Sequence, residues 1–213
     1  MMTGLKKSLI YWGRSIEKFF LFVLLISVIT VGCMSVLYGE IDYGYIFFYV
    51  PMILSISIIA IAYTNITTSL SNTIALGATR RDSFWGMEIF FHLLVLQGMI
   101  ITGIVLWLLP EVYKADKVTL GKYIVALYIL SCAFGNVINV VVMRCGMKMA
   151  KGVYIAVDIV ICVLAILVLQ ISEYIVIPFL GTVSMVAAGI GMVLDIVSIM
   201  MCNRAVREYE VRV

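Results

Sequence analysis

The sequence predicts an all-α integral membrane protein of six transmembrane helices, with both termini in the cytoplasm and an N-terminal amphipathic helix at the membrane interface. Three observations lead there. Of 213 residues, 64% are hydrophobic and 13% charged, and the mean hydropathy of +1.15 lies far outside the range of soluble domains. Apolar runs of the length a bilayer crossing needs, about 20 residues, recur along the chain. Lys and Arg are shared unequally between the connections, which sets an orientation.

Residues 1–18 come first. Leu5, Leu9, Trp12, Ile16 and Phe19 recur at steps of four and three, with Lys7, Arg14 and Lys18 on the opposite side. That pattern fits a helix lying in the headgroup plane, or a plain basic flank that sets topology. Six spans follow within residues 19–201: Phe19 to Tyr38, Tyr45 to Thr64, Phe84 to Leu109, Tyr123 to Met143, Val153 to Ile171 and Val176 to Met201. The first is too long for the apolar core of a cleavable signal and lacks a small-x-small cleavage pattern. Residues 202–213 form a tail.

Twelve of the 15 Lys and Arg fall on one side: Lys6, Lys7, Arg14 and Lys18; Arg80 and Arg81; Arg144, Lys148 and Lys151; Arg204, Arg207 and Arg212. Only Lys114, Lys117 and Lys122 fall on the other, and Glu40, Asp42 and Glu173 are acids there. The positive-inside rule therefore places both termini in the cytoplasm. The Asn65-Ile66-Thr67 sequon would face that side, where no glycan is added.

Between spans two and three the chain leaves the membrane through Thr, Ser and Asn, yet Ile66, Leu70 and Ile74 still repeat every fourth residue. This predicts a short helix within 65–82. Gly77 suits the left-handed residue that closes it, and Thr79 with Asp82 suits the capping box that opens the next helix. With Arg80 and Arg81 beside it, the segment is either a docking element for a soluble partner or a connecting turn.

Several classes are excluded. Six spans leave no room for a soluble catalytic domain, and no Gly-x-x-x-x-Gly-Lys-Ser/Thr loop occurs, so any ATP is bound by another chain. Cys33, Cys132, Cys145, Cys162 and Cys202 have neither paired spacing nor histidine companions, and read as small packing residues with no metal. The net charge of +3 is too small for a nucleic-acid partner. An aspartyl intramembrane protease needs Gly-x-Gly-Asp, whereas Gly189-Ile190-Gly191 precedes Asp195 by three further residues. A serine-type site fails because Ser184 and His92 lie at opposite ends of their spans. The chain reads as a non-enzyme.

The run Asn72-Thr73-Ile74-Ala75-Leu76-Gly77-Ala78-Thr79-Arg80-Arg81-Asp82-Ser83-Phe84-Trp85-Gly86 resembles the segment between spans two and three of bacterial exporter-type (type-2) ABC permeases, where Gly-x-Thr-Arg leads into an aromatic residue and a Gly. More loosely the likeness covers the whole chain: interfacial helix, six spans, cytoplasmic ends and no ATPase domain. It implies a subunit of a bacterial plasma-membrane exporter that pairs with a second permease chain, identical or paralogous, and with ATP-binding subunits holding ATP and Mg. Thr67, Leu70, Ile74, Gly77, Thr79, Arg80, Arg81 and Asp82 would form the ATPase-coupling segment. The cargo implied is a peptide, drug or lipid. This chain departs from the pattern between spans five and six, where only a few residues from Ser172 onward intervene and no re-entrant hairpin fits; Pro178 would mark a break at the start of span six.

Polar residues inside the spans are the remaining candidates. Glu88, Asp158 and Asp195 lie about 6 to 9 Å from the cytoplasmic ends of their spans at 1.5 Å per residue. They are expected to pair with Arg144, Lys148, Lys151 or Arg204, or to form a charged track that responds to the ATPases. Glu88 and His92 form an i, i+4 pair, with His92 read as a helix contact rather than a ligand. Asn136 and Asn139 make interhelical hydrogen bonds or line a cavity. In span six, Gly181, Ser184, Ala187, Ala188, Gly189 and Gly191 permit close helix packing. A vitamin-uptake substrate-binding subunit is an alternative, but it would carry small residues at every fourth position of span one, which is bulky nearly throughout. A stand-alone carrier would be supported by repeated halves, and none is visible.

Overall fold

A computed structural model describes residues 4–38, 43–64, 66, 70–75, 77–108, 117–174 and 179–208. All the elements among them are helices: α1 (Gly4–Tyr38), α2 (Tyr43–Thr64), α3 (Leu70–Ala75), α4 (Arg80–Leu108), α5 (Lys117–Cys145), α6 (Met147–Tyr174) and α7 (Leu180–Glu208). Among the described residues, three segments are long and apolar enough to cross a membrane: Arg80–Trp107, Lys117–Cys145 and Leu180–Glu208. The sequon residues Asn65 and Thr67, and Pro178, lie outside the described residues.

α1 is a single helix of 35 residues. The division expected between an interfacial helix ending at residue 18 and a span beginning at 19 is not marked by any break, because no Pro interrupts the hydrogen-bond ladder there. Its first turns lie against protein: Trp12 is fully buried in the main core, and Ser8 is buried against the start of α4. Gly86 permits this approach, since a Cβ there would come 2.8 Å from Ser8 Cβ. Trp12, expected on the apolar side of a helix in the headgroup plane, is therefore a core residue.

α1 and α4 run parallel, with Gly4 beside Asp82, Ser8 beside Gly86 and Gly13 beside Phe90. α5 runs antiparallel to α4, as the pairs Phe91–Gly135, Gly98–Tyr128 and Leu106–Gly121 show. α5 and α7 are parallel, with Gly181 against Thr119 and Lys122, and Gly191 against Ile129 and Leu130. Of the small residues in α7, Gly181, Ser184, Ala188 and Gly191 are buried, whereas Gly189 faces open space. α5 is thus the central helix, touching α2, α4, α6 and α7.

A crossing of three helices is tight at Gly135. A Cβ there would lie 2.8 Å from Ala62 Cβ of α2 and 3.0 Å from Phe91 Cζ of α4. Gly135→Ala is expected to destabilise the fold by about 1 to 3 kcal/mol through overpacking, exceeding the gain in helix propensity of roughly 1 kcal/mol. Thermal unfolding of the purified chain measures this, and an unchanged or raised midpoint would contradict the packing described.

The link between α5 and α6 is shorter than expected. Gly146, with φ +86°, is the one residue between them, and its N–H donates to Val142 O at 3.1 Å while its carbonyl accepts from Ala150 N at 3.2 Å. One helix ends and the next begins on the same glycine, whose lack of a Cβ admits the left-handed backbone. Arg144 and Lys148 accordingly lie on helices rather than in a loop.

Candidate functional site

Two groups of expected residues can be followed into the structure. The first is the segment 65–82. α3 closes through a paired motif at Gly77, φ +84°, whose N–H donates to Ile74 O at 2.9 Å, while Ala78 N–H donates to Thr73 O at 3.2 Å. Thr79 Oγ1 then accepts from Asp82 N–H at 3.1 Å and its carbonyl accepts from Ser83 N–H at 2.8 Å, so α4 opens at Thr79. Asn72 Nδ2 donates to the Tyr11 hydroxyl at 3.1 Å, tying α3 to α1.

The apolar stripe of this segment points inward. Ile66 and Leu70 are 6% and 3% exposed, and Ile74 packs on the same core. Leu70 is therefore closed to a partner, and Ile74 is partly covered. The outward side is formed by Asn72, Ala75, Gly77, Thr79 and Arg81, with Arg80 and Asp82 partly covered. Thr67 lies outside the described residues.

The second group converges. Glu88 and His92 on α4, Asn136 and Asn139 on α5, and Asp195 on α7 share one cluster where the three helices meet. Asn136 Nδ2 donates to Asp195 Oδ1 at 2.8 Å and to Glu88 Oε2 at 3.3 Å, and Asn139 Nδ2 donates to Asn136 Oδ1 at 3.3 Å. His92 Nδ1 lies 2.8 Å from the Glu88 carbonyl and Nε2 lies 3.0 Å from Asp195 Oδ2. The Glu88 carboxylate is 3.8 Å from His92 Nδ1.

Glu88 and Asp195 are thus held by His92 and Asn136 and not by Arg144, Lys148, Lys151 or Arg204. Arg204 instead pairs with Glu208 at 3.2 Å, one turn along. The helix directions explain this, since the acids face the seam of α4, α5 and α7, whereas Arg144, Lys148 and Lys151 are exposed at the α5–α6 turn. Asp158 does not join the cluster. It sits on α6 beside Tyr154, away from the other five.

One member was missed from the sequence. Cys132 Sγ lies 3.7 Å from His92 Nε2, and the ligand atoms of His92, Cys132 and Asp195 all fall within 4.8 Å of one another. Its spacing carried a signal: Cys132, Asn136 and Asn139 stand at i, i+4 and i+7, on one face of α5.

The cluster opens sideways into a groove of about 360 Å³. Trp85, Ile89, Leu93 and Leu96 of α4 and Ile199 of α7 form its walls, and Glu88 and His92 also line it. The His92 side chain is 41% exposed, so the imidazole is reachable from the groove. Glu88 and His92 stand at the base of this otherwise apolar surface, and Asp195 and the buried Cys132 lie behind them. Among known proteins, no family model, no curated protein and no solved structure matches this chain.

Proposed function

We propose that this chain is the membrane-spanning subunit of an ATP-driven exporter in a bacterial plasma membrane. It crosses six times with α1, α2, α4, α5, α6 and α7, keeps both termini in the cytoplasm, and works with ATPase subunits and a second permease chain. The alternating helix directions support this topology: α1 and α4 are parallel, α5 opposes α4, and α7 is parallel to α5. Helices of 35, 22 and 28 residues in α1, α2 and α6 are long enough at about 1.5 Å per residue.

The observation that carries the reading is the braced elbow at α3. A connecting turn has no need of a buried Leu70, a tie from Asn72 to Tyr11, a glycine stop and a threonine cap. A segment that receives force from an ATPase does, because slack would absorb the motion. The lateral groove above Glu88 and His92 suits an amphipathic cargo whose apolar body reaches it through the lipid.

Affinity purification from native membranes is expected to bring down a subunit with a Gly-x-x-x-x-Gly-Lys-Ser/Thr loop. Ala75→Asp combined with Arg81→Glu, both on the exposed side, should reduce that recovery at least about tenfold, the effect of roughly 1.4 kcal/mol, without altering membrane insertion. Transport by vesicles holding only this chain would overturn the reading. It would favour a stand-alone carrier, to which the His92–Asp195 pair would lend a titratable site.

A further inference from the structure

We propose that His92, Cys132 and Asp195 form a site for one zinc-class divalent transition-metal ion, beside the groove that His92 lines. The inference does not depend on the exporter reading. It starts from hydrogen-bond logic. The Glu88 carbonyl can only accept, so His92 Nδ1, 2.8 Å away, carries its hydrogen. Nε2 of the neutral ring then presents a lone pair, and it faces Asp195 Oδ2 at 3.0 Å and Cys132 Sγ at 3.7 Å. At 3.0 Å that lone pair and the carboxylate repel unless a proton on Nε2 or a metal ion lies between them, so the contact an imidazolium would satisfy is equally one a metal can take.

The donor set selects the cation. Nitrogen, sulfur and carboxylate oxygen together suit zinc, and a thiol disfavours calcium and magnesium, which take oxygen ligands. The spacing also fits. Ligand bonds of about 2.0 to 2.3 Å in a tetrahedron place donor atoms roughly 3.3 to 3.7 Å apart, and small side-chain adjustments bring the three atoms, already within 4.8 Å of one another, to that separation.

A supporting shell is already built. The Glu88 carbonyl fixes the imidazole tautomer, and Asn136 holds Asp195 Oδ1 at 2.8 Å so that Oδ2 is turned to His92. Glu88 is 2% exposed, one of its oxygens is held by Asn136, and the other, Oε1, is buried without a partner among the described residues. A buried carboxylate oxygen with no donor is costly unless a cation is near. Binding converts the Cys132 thiol to thiolate, and its proton leaves to water.

The full chain, purified without a histidine tag and stripped with chelator, is titrated with Co²⁺ as the spectroscopic probe. The expected result is one Co²⁺ per chain with a sulfur-to-cobalt charge-transfer band in the near ultraviolet, displaced by Zn²⁺. Cys132→Ser removes the band, and Cys145→Ser, at the exposed α5–α6 turn, leaves it intact. On the unaltered chain, one equivalent of Zn²⁺ bleaches the Co²⁺ band, which tests the site without relying on the folding of a variant. No charge-transfer band, a band that survives Cys132→Ser, or a band that Zn²⁺ does not displace overturns the proposal and leaves a proton as the cation shared by His92 and Asp195.

Discussion

Trp12→Ala is expected to lower stability by about 3 to 5 kcal/mol, the range for emptying a fully buried aromatic site. Trp12 is 0% exposed and belongs to the same core as Leu70, Phe84, Met87 and Val206. Its removal unseats the start of α1 from α4 and takes the brace from α3 with it. Thermal unfolding in detergent should show the loss, and limited proteolysis should cut the first turns of α1 in the variant but not in the parent. Trp12→Phe should cost less, since it keeps most of the ring volume and discards an indole N–H that has no partner among the described residues. A helix lying in the headgroup plane would respond differently: Trp12→Ala would then weaken membrane association while the unfolding midpoint held.

The second large effect belongs to Asn136. One amide donates to carboxylates on two other helices, Asp195 at 2.8 Å and Glu88 at 3.3 Å. Asn136→Leu fills similar space but strands both acceptors, and hydrogen bonds to charged groups contribute about 1.5 to 3 kcal/mol each. The expected destabilisation is about 3 kcal/mol or more, a fall of roughly 6 to 12 °C for a chain of this size. Asn139→Leu removes only the 3.3 Å bond to Asn136 Oδ1 and should cost about 1 kcal/mol. Adding Asp195→Leu to Asn136→Leu should recover part of the loss, because no buried acceptor then remains on α7. Equal effects at the two asparagines, or no recovery in the double variant, would show that the shared amide is not what joins the helices.

The α3 elbow was readable in the sequence because its chemistry is local. A left-handed stop at Gly77 and a cap at Thr79 need only their immediate neighbours, and both form as expected. The face that α3 presents was not readable, since periodicity finds an apolar stripe without saying whether protein or a partner covers it. Glu88, His92, Asn136, Asn139 and Asp195 were each identifiable as polar groups in apolar runs. Their meeting depends on the antiparallel placement of α4 against α5 and the parallel placement of α7, which no single segment encodes. Cys132 was overlooked because a thiol in an apolar helix packs as readily as it ligates, and only the imidazole brought from α4 distinguishes the two. Reading the basic stretch around Arg144 as a loop failed for another reason: charge marks where a helix leaves an apolar layer, not where its hydrogen bonds stop.

The unbroken length of α1 has a mechanical consequence. At about 1.5 Å per residue its 35 residues form a rod of roughly 50 Å. Its first turns are clamped between the start of α4 and, through Tyr11, the tip of α3. Val23 and Ser27, both buried, hold the rod again near its middle, where it rests along α2. Because the rod is stiff, a tilt of about 5° about its first turns would carry the far end by about 4 to 5 Å at that length, close to one helical turn, and could not occur without moving α2 as well.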